Sequence, residues 1–307
     1  MGGYIKIAIT GITGLVGTNL SKKLNSMGHD VYGLSRTTGC DLTKEDQVDN
    51  LLNEIRPDVI FALAAESAES IGQNSPVMMT QNNIGIFVNT LKASINSKVK
   101  RFIYTSSVAV YGEASVPYKE DGPTIPKDIY GVNKLACEQI LKIMSKVHGI
   151  KYTIFRPHNI YGPGQRMKDP TKNVVALFMR NLLEHKPYKL FGGGEMRRAF
   201  SYVDDVVDVL ADSLRPEYEN KTLNVGSEVD VSVKELSDMI QKISGIKGEI
   251  EMLNARPQEI HMFLADHTNQ RELIKYNETP LKEGLEDTWE WVKSQTLPPI
   301  MTKRVEI

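Results

Sequence analysis

Residues 4–17, YIKIAITGITGLVG, decide how the rest of the chain is read. Tyr4 to Thr10 is a short apolar run of the kind that forms a strand buried on both faces. Glycines follow at 11, 14 and 17, and a helical pattern through Leu20 and Leu24 then runs to Gly28. A strand that turns through glycines into a helix brings backbone N–H groups together at the positive end of that helix, where a pyrophosphate can sit. Gly11, Thr13, Gly14, Leu15, Val16 and Gly17 are therefore candidate dinucleotide-binding residues. The glycine spacing is three and three, unlike GxGxxG, so their place after the first strand carries most of the argument.

The alternation continues outward from that stretch. DVYGLSR reads as a second strand ending at Arg36, and a helix through Val48, Leu51, Leu52 and Ile55 stops before Pro57. DVIFALAA makes a third strand, a helix is predicted from Met78 to Asn96, and a fourth strand covers 101–105. Another helix begins at Tyr130, and YTIFRP is a further strand. Strand alternating with helix predicts an α/β fold, a Rossmann-type doubly wound parallel sheet covered on both faces. From about Gly162 the alternation weakens. A helix is predicted at 174–183, a sharp turn at 192–194, a short strand into a helix across 197–214, a strand at TLNVG, and a capping box at Ser232 and Glu235. The expected division is a dinucleotide-binding domain at 1–160, with segments at about 199–228 returning to it. Residues 161–198 and 229–307 would form a smaller α/β substrate-binding lobe.

The 307 residues suffice for a large core, and 41% apolar with 24% charged residues is ordinary for a globular protein. A net charge of -1 gives no electrostatic case for nucleic acid. Cys40 and Cys137 make no metal or disulfide spacing, so no metal site is expected and a reducing cytoplasm is the expected location. No signal-peptide pattern is present, and no apolar run reaches the roughly 18 residues of a membrane span.

The chemistry concentrates at 101–134. The strand-like run Arg101 to Thr105 delivers Ser106 and Ser107, and Tyr130 and Lys134 follow four residues apart on one helix face. A phenol beside an ammonium can become a base, because the positive charge favours the phenolate. With Ser107 orienting a substrate hydroxyl, Tyr130 would take its proton as hydride leaves the same carbon. At the end of the second strand stand Ser35 and Arg36, with no carboxylate until Asp41. A hydroxyl followed by a guanidinium suits a 2′-phosphate and leans toward NADP over NAD. Asp41 and Leu42 lie where they could border the adenine.

These pieces resemble the extended short-chain dehydrogenase/reductases, in the nucleotide-sugar epimerase/dehydratase family. The matching motifs are GITGLVG, the DL at 41–42, LAA at 63–65, TSSVAVYG, YGVNK, RPHNIYGPG, GGGEMRRAFSYVDDV, NVGS and the ARPQE segment, in family order over nearly the whole chain. The resemblance implies NAD or NADP as cofactor and a nucleotide-diphosphate sugar as substrate. It implies catalytic roles for Ser107, Tyr130 and Lys134, and places Leu63, Ala64, Ala65, Asn83, Pro157 and His158 by the cofactor. Asn159, Asn173, Arg198 and Arg256 would hold the sugar nucleotide, the arginines by its diphosphate. A homodimer through helices at about 82–97 and 130–148 is also implied.

Departures from the family pattern are informative. Dehydratases of the family carry Asp-Glu directly after the catalytic Ser/Thr, whereas Val108 and Ala109 stand here and cannot transfer protons. Glu66, Glu69 and Glu113 read as solvated loop carboxylates. The resemblance therefore implies a 4-epimerase, with an NADP(H)-dependent 4-ketoreductase or 4-dehydrogenase as the alternative.

Overall fold

The computed structural model describes residues 4–67, 75–167, 173–255, 260–275 and 278–295. Its first part alternates as expected: β1 (Lys6–Thr10), α1 (Leu15–Ser26), β2 (Asp30–Leu34), α2 (Glu45–Ile55), β3 (Val59–Ala62), α3 (Pro76–Asn96), β4 (Arg101–Thr105), α4 (Ile129–His148) and β5 (Lys151–Pro157). Then come β6 (Ile160–Tyr161), α5 (Val174–Leu183), β7 (Tyr188–Phe191), β8 (Arg197–Ala199), β9 (Ser201–Tyr202), α6 (Val203–Asp212) and β10 (Lys221–Val225). The chain continues through β11 (Asp230–Ser232), α7 (Val233–Ser244), β12 (Ile250–Leu253), β13 (Met262–Phe263), α8 (Thr268–Leu273) and α9 (Leu281–Ser294).

Six strands form one sheet in the order β10-β5-β4-β3-β1-β2, and every pairing is parallel. Both faces are buried, as a parallel sheet requires. Ala8, Ile60, Phe102 and Ile154 point into one core with Phe87, Leu91 and Leu141, while Ile7, Ile9, Phe61, Ile103 and Phe155 point into the other with Leu20, Leu24 and Val206. Successive residues of one strand thus serve opposite cores, the period-two geometry of a strand. The chain leaves β1 for β2 on one side and reaches β3 on the other, so a crevice opens at the carboxyl ends of β1 and β3.

The later segments build a third core from Phe178, Met179, Tyr188, Leu236, Ile240, Trp289 and Val292. Small sheets β11-β8-β13 and β12-β7 border it. The chain also returns to the main sheet, since β10 pairs with β5 and α6 supplies Val206, Val209 and Leu210 to its core.

Several predicted edges move. The second strand ends at Leu34 because Ser35 opens a capped turn over Arg36–Thr38. The third strand ends at Ala62, where Thr10 Oγ1 accepts the N–H groups of Leu63 and Ala64 and takes them out of the ladder. The helix expected from Met78 begins at Pro76, a residue suited to a first helical turn. No helix among the described residues is long and apolar enough to cross a membrane.

Candidate active site

Five strand ends set the floor of the site in a row. Ser35 and Arg36 follow β2, the glycine turn follows β1, Leu63 to Ala65 follow β3, Ser106 and Ser107 follow β4, and Pro157 closes β5. Four strand spacings separate the outer two, about 19 Å.

The glycine turn is fitted to a ligand's phosphates. Gly11 has φ of +70°, and a Cβ there would lie 2.9 Å from Ala64 Cα. A Cβ on Gly17 would lie 2.4 Å from the Gly11 carbonyl oxygen, so α1 can start this close to the turn only with glycine. Gly14 caps α1 with no side-chain hydrogen bond, and the first turn carries no acidic residue. The first N–H groups of α1 are therefore left to an outside anion. This cradle fits a dinucleotide pyrophosphate.

At the β2 end, the Ser35 and Thr37 hydroxyls lie 2.8 Å apart, and the Thr38 hydroxyl accepts the Ser35 N–H at 2.9 Å. Arg36 is exposed beside them. The Asp41 carboxylate accepts from the Thr43 N–H at 3.0 Å and its hydroxyl at 2.8 Å, bonds that hold its pKa low. Leu42 turns its side chain into the core. Asn83 is also engaged: its amide exchanges two hydrogen bonds with the Glu66 backbone and ties α3 to the loop after β3.

The residues expected to transfer protons stand at the end of β4 and the start of α4. Asp128 caps α4 by accepting the Gly131 N–H at 2.7 Å. A Cβ on Gly131 would lie 2.5 Å from the Ala109 carbonyl oxygen, so glycine lets the helix start press on the turn after Ser107. Ser107 Oγ accepts the Ala109 N–H at 3.2 Å, which leaves its own proton to donate. Lys134 is buried, and its ammonium donates to the Thr105 carbonyl at 2.7 Å. It lies 5.6 Å from the centre of the Tyr130 ring and 4.8 Å from that of Tyr104. Burial draws the Lys134 pKa down to about 8, against the smaller opposing influence of Cys137 and Glu138.

Pro157 closes β5 two residues beyond Phe155, whose carbonyl accepts the Ser106 N–H at 2.7 Å. The His158 side chain is buried against His267, ring centres 5.0 Å apart, so it gives no surface to the crevice. Asn159 is exposed and donates to the Ala199 carbonyl, beside Arg198 on β8. The Arg198 guanidinium lies 4.7 Å over the Phe263 ring. Asn173 caps α5, accepting from Val175 and donating to the Ile160 carbonyl at 2.6 Å. Arg256 and Glu69 lie outside the described residues. Glu113 is an exposed partner of Lys127, and Val108 and Ala109 are buried.

The sequence reading missed Asp128, Gly131 and Tyr104. An acidic residue two before Tyr130 and a glycine one after it carried the cap-and-contact signal. Tyr104 gave none, since an aromatic residue in a buried strand reads as core.

A model of the NAD dependent epimerase/dehydratase family matches residues 7–226. The chain belongs to that family. It is 30% identical to the UDP-glucose 4-epimerase of Mycolicibacterium smegmatis, with 95% of this chain and 100% of that protein covered. It is 29% identical to GDP-mannose 3,5-epimerase 1 of Oryza sativa subsp. indica, covering 95% of this chain and 82% of the relative. The UDP-glucuronic acid 4-epimerase of Bacillus cereus, solved with UDP-glucuronic acid and NAD, superposes with a TM-score of 0.85 at 28% identity, over 94% of this chain and 99% of that one. The expected Rossmann-type fold and the epimerase/dehydratase resemblance are thereby borne out.

Proposed function

We propose that the protein is a nucleotide-sugar 4-epimerase that holds NAD(P) along the strand ends and uses Tyr130 as its base. The observation that carries the reading is the Lys134 ammonium, buried beside the Tyr130 ring at the strand end that bears Ser107. A free phenol, with a pKa of about 10, is a poor base, and the adjacent cation favours its ionised form. Tyr130 takes the proton of the sugar's C4 hydroxyl while Ser107 donates to the same oxygen. The nicotinamide, when bound, supplies a reversible hydride acceptor. Tyr130 then returns the proton after the flat 4-keto sugar has turned its other face. Val108 and Ala109, apolar and buried, offer no acid–base pair for removing water.

Asn159 binds the carbonyl of Ala199, the residue after Arg198; both are assigned to the sugar nucleotide by family position, and a guanidinium suits a diphosphate. Asn173 and Arg256 join them in this proposal by family position, with residues 161–198 and 229–307 as the substrate lobe. A homodimer through α3 and α4 is supported by exposed Val77, Met78 and Val88 on one helix and Val132, Ile143 and Val147 on the other. Two buried free cysteines agree with a cytoplasmic location.

The hydroxyl-lined turn with Arg36 favours a second reading, a 4-keto nucleotide-sugar reductase using NADPH. One assay series decides. Purified protein is incubated with UDP-, GDP-, CDP- and dTDP-hexoses without added cofactor, and with 4-keto sugar nucleotides plus NADPH. Interconversion at C4 supports the first reading, and stoichiometric NADPH loss supports the second. Tyr130→Phe should cut either activity by about 100-fold or more. Absence of C4 interconversion with every nucleotide ends the epimerase reading.

A further inference from the structure

We propose that Tyr104 is a positioning residue for the reaction: the face of its buried ring holds the Lys134 ammonium against Tyr130. The proposal rests on Tyr130 and Lys134 acting as described above.

The ammonium has unusual company for a buried charge. Among the described residues it has no carboxylate within ion-pair distance. It makes one hydrogen bond, to the Thr105 carbonyl, and faces two rings, Tyr104 at 4.8 Å and Tyr130 at 5.6 Å. The groups facing it from β4 are the Tyr104 ring and that carbonyl. From α4 they are Tyr130, Cys137 and Glu138, whose carboxylate is taken by Arg156. A ring's electron-rich face attracts a cation, most strongly where water is excluded, and so replaces part of the lost hydration. The nearer of the two rings belongs to Tyr104.

Tyr104 is itself held still. Phe87 meets its ring edge-on, centres 4.7 Å apart, and its hydroxyl engages the Cys137 thiol. Tyr104 is 3% exposed, so it cannot touch a substrate in the crevice and acts only through Lys134. What matters is the ring face and not the hydroxyl. Tyr104→Phe should therefore preserve function, and Tyr104→Leu should not.

The test compares wild type, Tyr104→Phe, Tyr104→Leu and a pentafluorophenylalanine at position 104. The fluorinated ring keeps the aromatic shape while reversing the charge of its face, which covers a Leu variant that fails to fold. The first readout is the titration of Lys134 Cε by 13C NMR, assigned by its loss in Lys134→Met. The second is the pH profile of kcat/KM. The Leu and fluorinated variants should lower the Lys134 pKa by about one unit and pull in the alkaline limb by the same amount. Tyr104→Phe should leave both in place. Phe87→Leu loosens the same packing without facing the ammonium and should shift neither. A Lys134 titration identical in all ring variants would overturn the proposal, as would an equal shift in Phe87→Leu. If Tyr130→Phe keeps full activity while Lys134 still responds to position 104, the positioning stands and the proposed function fails.

Discussion

Lys134 and Arg156 are both buried cations, 4% and 2% exposed, and their surroundings could hardly differ more. Arg156 is fully matched. Its Nε and Nη2 donate to the two Glu138 oxygens at 2.9 and 2.6 Å, and its Nη1 donates to the Tyr111 hydroxyl at 2.8 Å. Burial works against that charge, but Glu138 and Tyr111 outweigh it and push its pKa up. Lys134 sits one helical turn from Glu138; among the described residues it meets the Thr105 carbonyl and two rings, and its pKa falls to about 8. A saturated charge fixes structure, here α4 to β5. A charge left short of partners can still lend its field to a neighbour.

The comparison breaks most visibly at Glu138. Glu138→Gln leaves Arg156 buried without its counter-charge, which should cost about 3–5 kcal/mol and lower Tm by roughly 5–8 °C in calorimetry. Replacing both partners with apolar residues, Glu138→Leu with Arg156→Met, should recover most of that loss. A single variant as stable as wild type would show that the pair contributes nothing to holding α4.

At Lys134 the sign reverses. The folded pKa of about 8 lies below the ordinary 10.5, so unfolding favours proton binding between those values. The charged lysine therefore costs stability below pH 8, and the cost is relieved as pH rises from 8 toward 10.5. Lys134→Met should raise stability at pH 7 by about 1–2 kcal/mol, after allowing for the Thr105 carbonyl left unpaired. That gain should fade by about pH 10.5. Turnover should fall by about 100- to 1,000-fold, or about 3–4 kcal/mol. A variant that is both less stable and less active at pH 7 would place Lys134 with Arg156 as a structural cation.

Much of this was legible in the sequence, because it depends on local spacing. The sheet followed from strand–helix alternation, and the glycine turn from the place of Gly11 to Gly17. Tyr130 and Lys134 followed from helical periodicity. What escaped depended on contacts between distant segments. Glu138 and Arg156 are 18 residues apart and join only when α4 lies on β5. Tyr104 finds Lys134 across the β4–α4 crossing, and Gly131 is needed because Ala109 lies against it. The region of small sheets after β5 was the least legible. Its strands are two to four residues long, too short to show a period.

His158 and His267 give a third outcome for buried titratable groups: neutrality. Their rings lie 5.0 Å apart, and their ring nitrogens have no hydrogen-bond partner among the described residues. The nearest carboxylate, Glu228, lies 3.6 Å from His267 Nδ1, and Arg271 also engages it. Burial lowers both pKa values, that of His267 to about 4, and the neighbouring imidazole lowers His158 further. Unfolding thus takes up protons as pH falls below about 6.5, and stability is lost from there down toward 4. Each imidazole should account for about 2 kcal/mol between pH 7 and 5. His267→Gln, which cannot ionise, should remove about half of the acid sensitivity that this pair confers, read from urea unfolding at a series of pH values. If the sensitivity is unchanged, or if His267→Gln makes the protein more acid-sensitive, His267 is protonated in the fold. Glu228 would then serve it as Glu138 serves Arg156, and the pair would belong with the saturated charges.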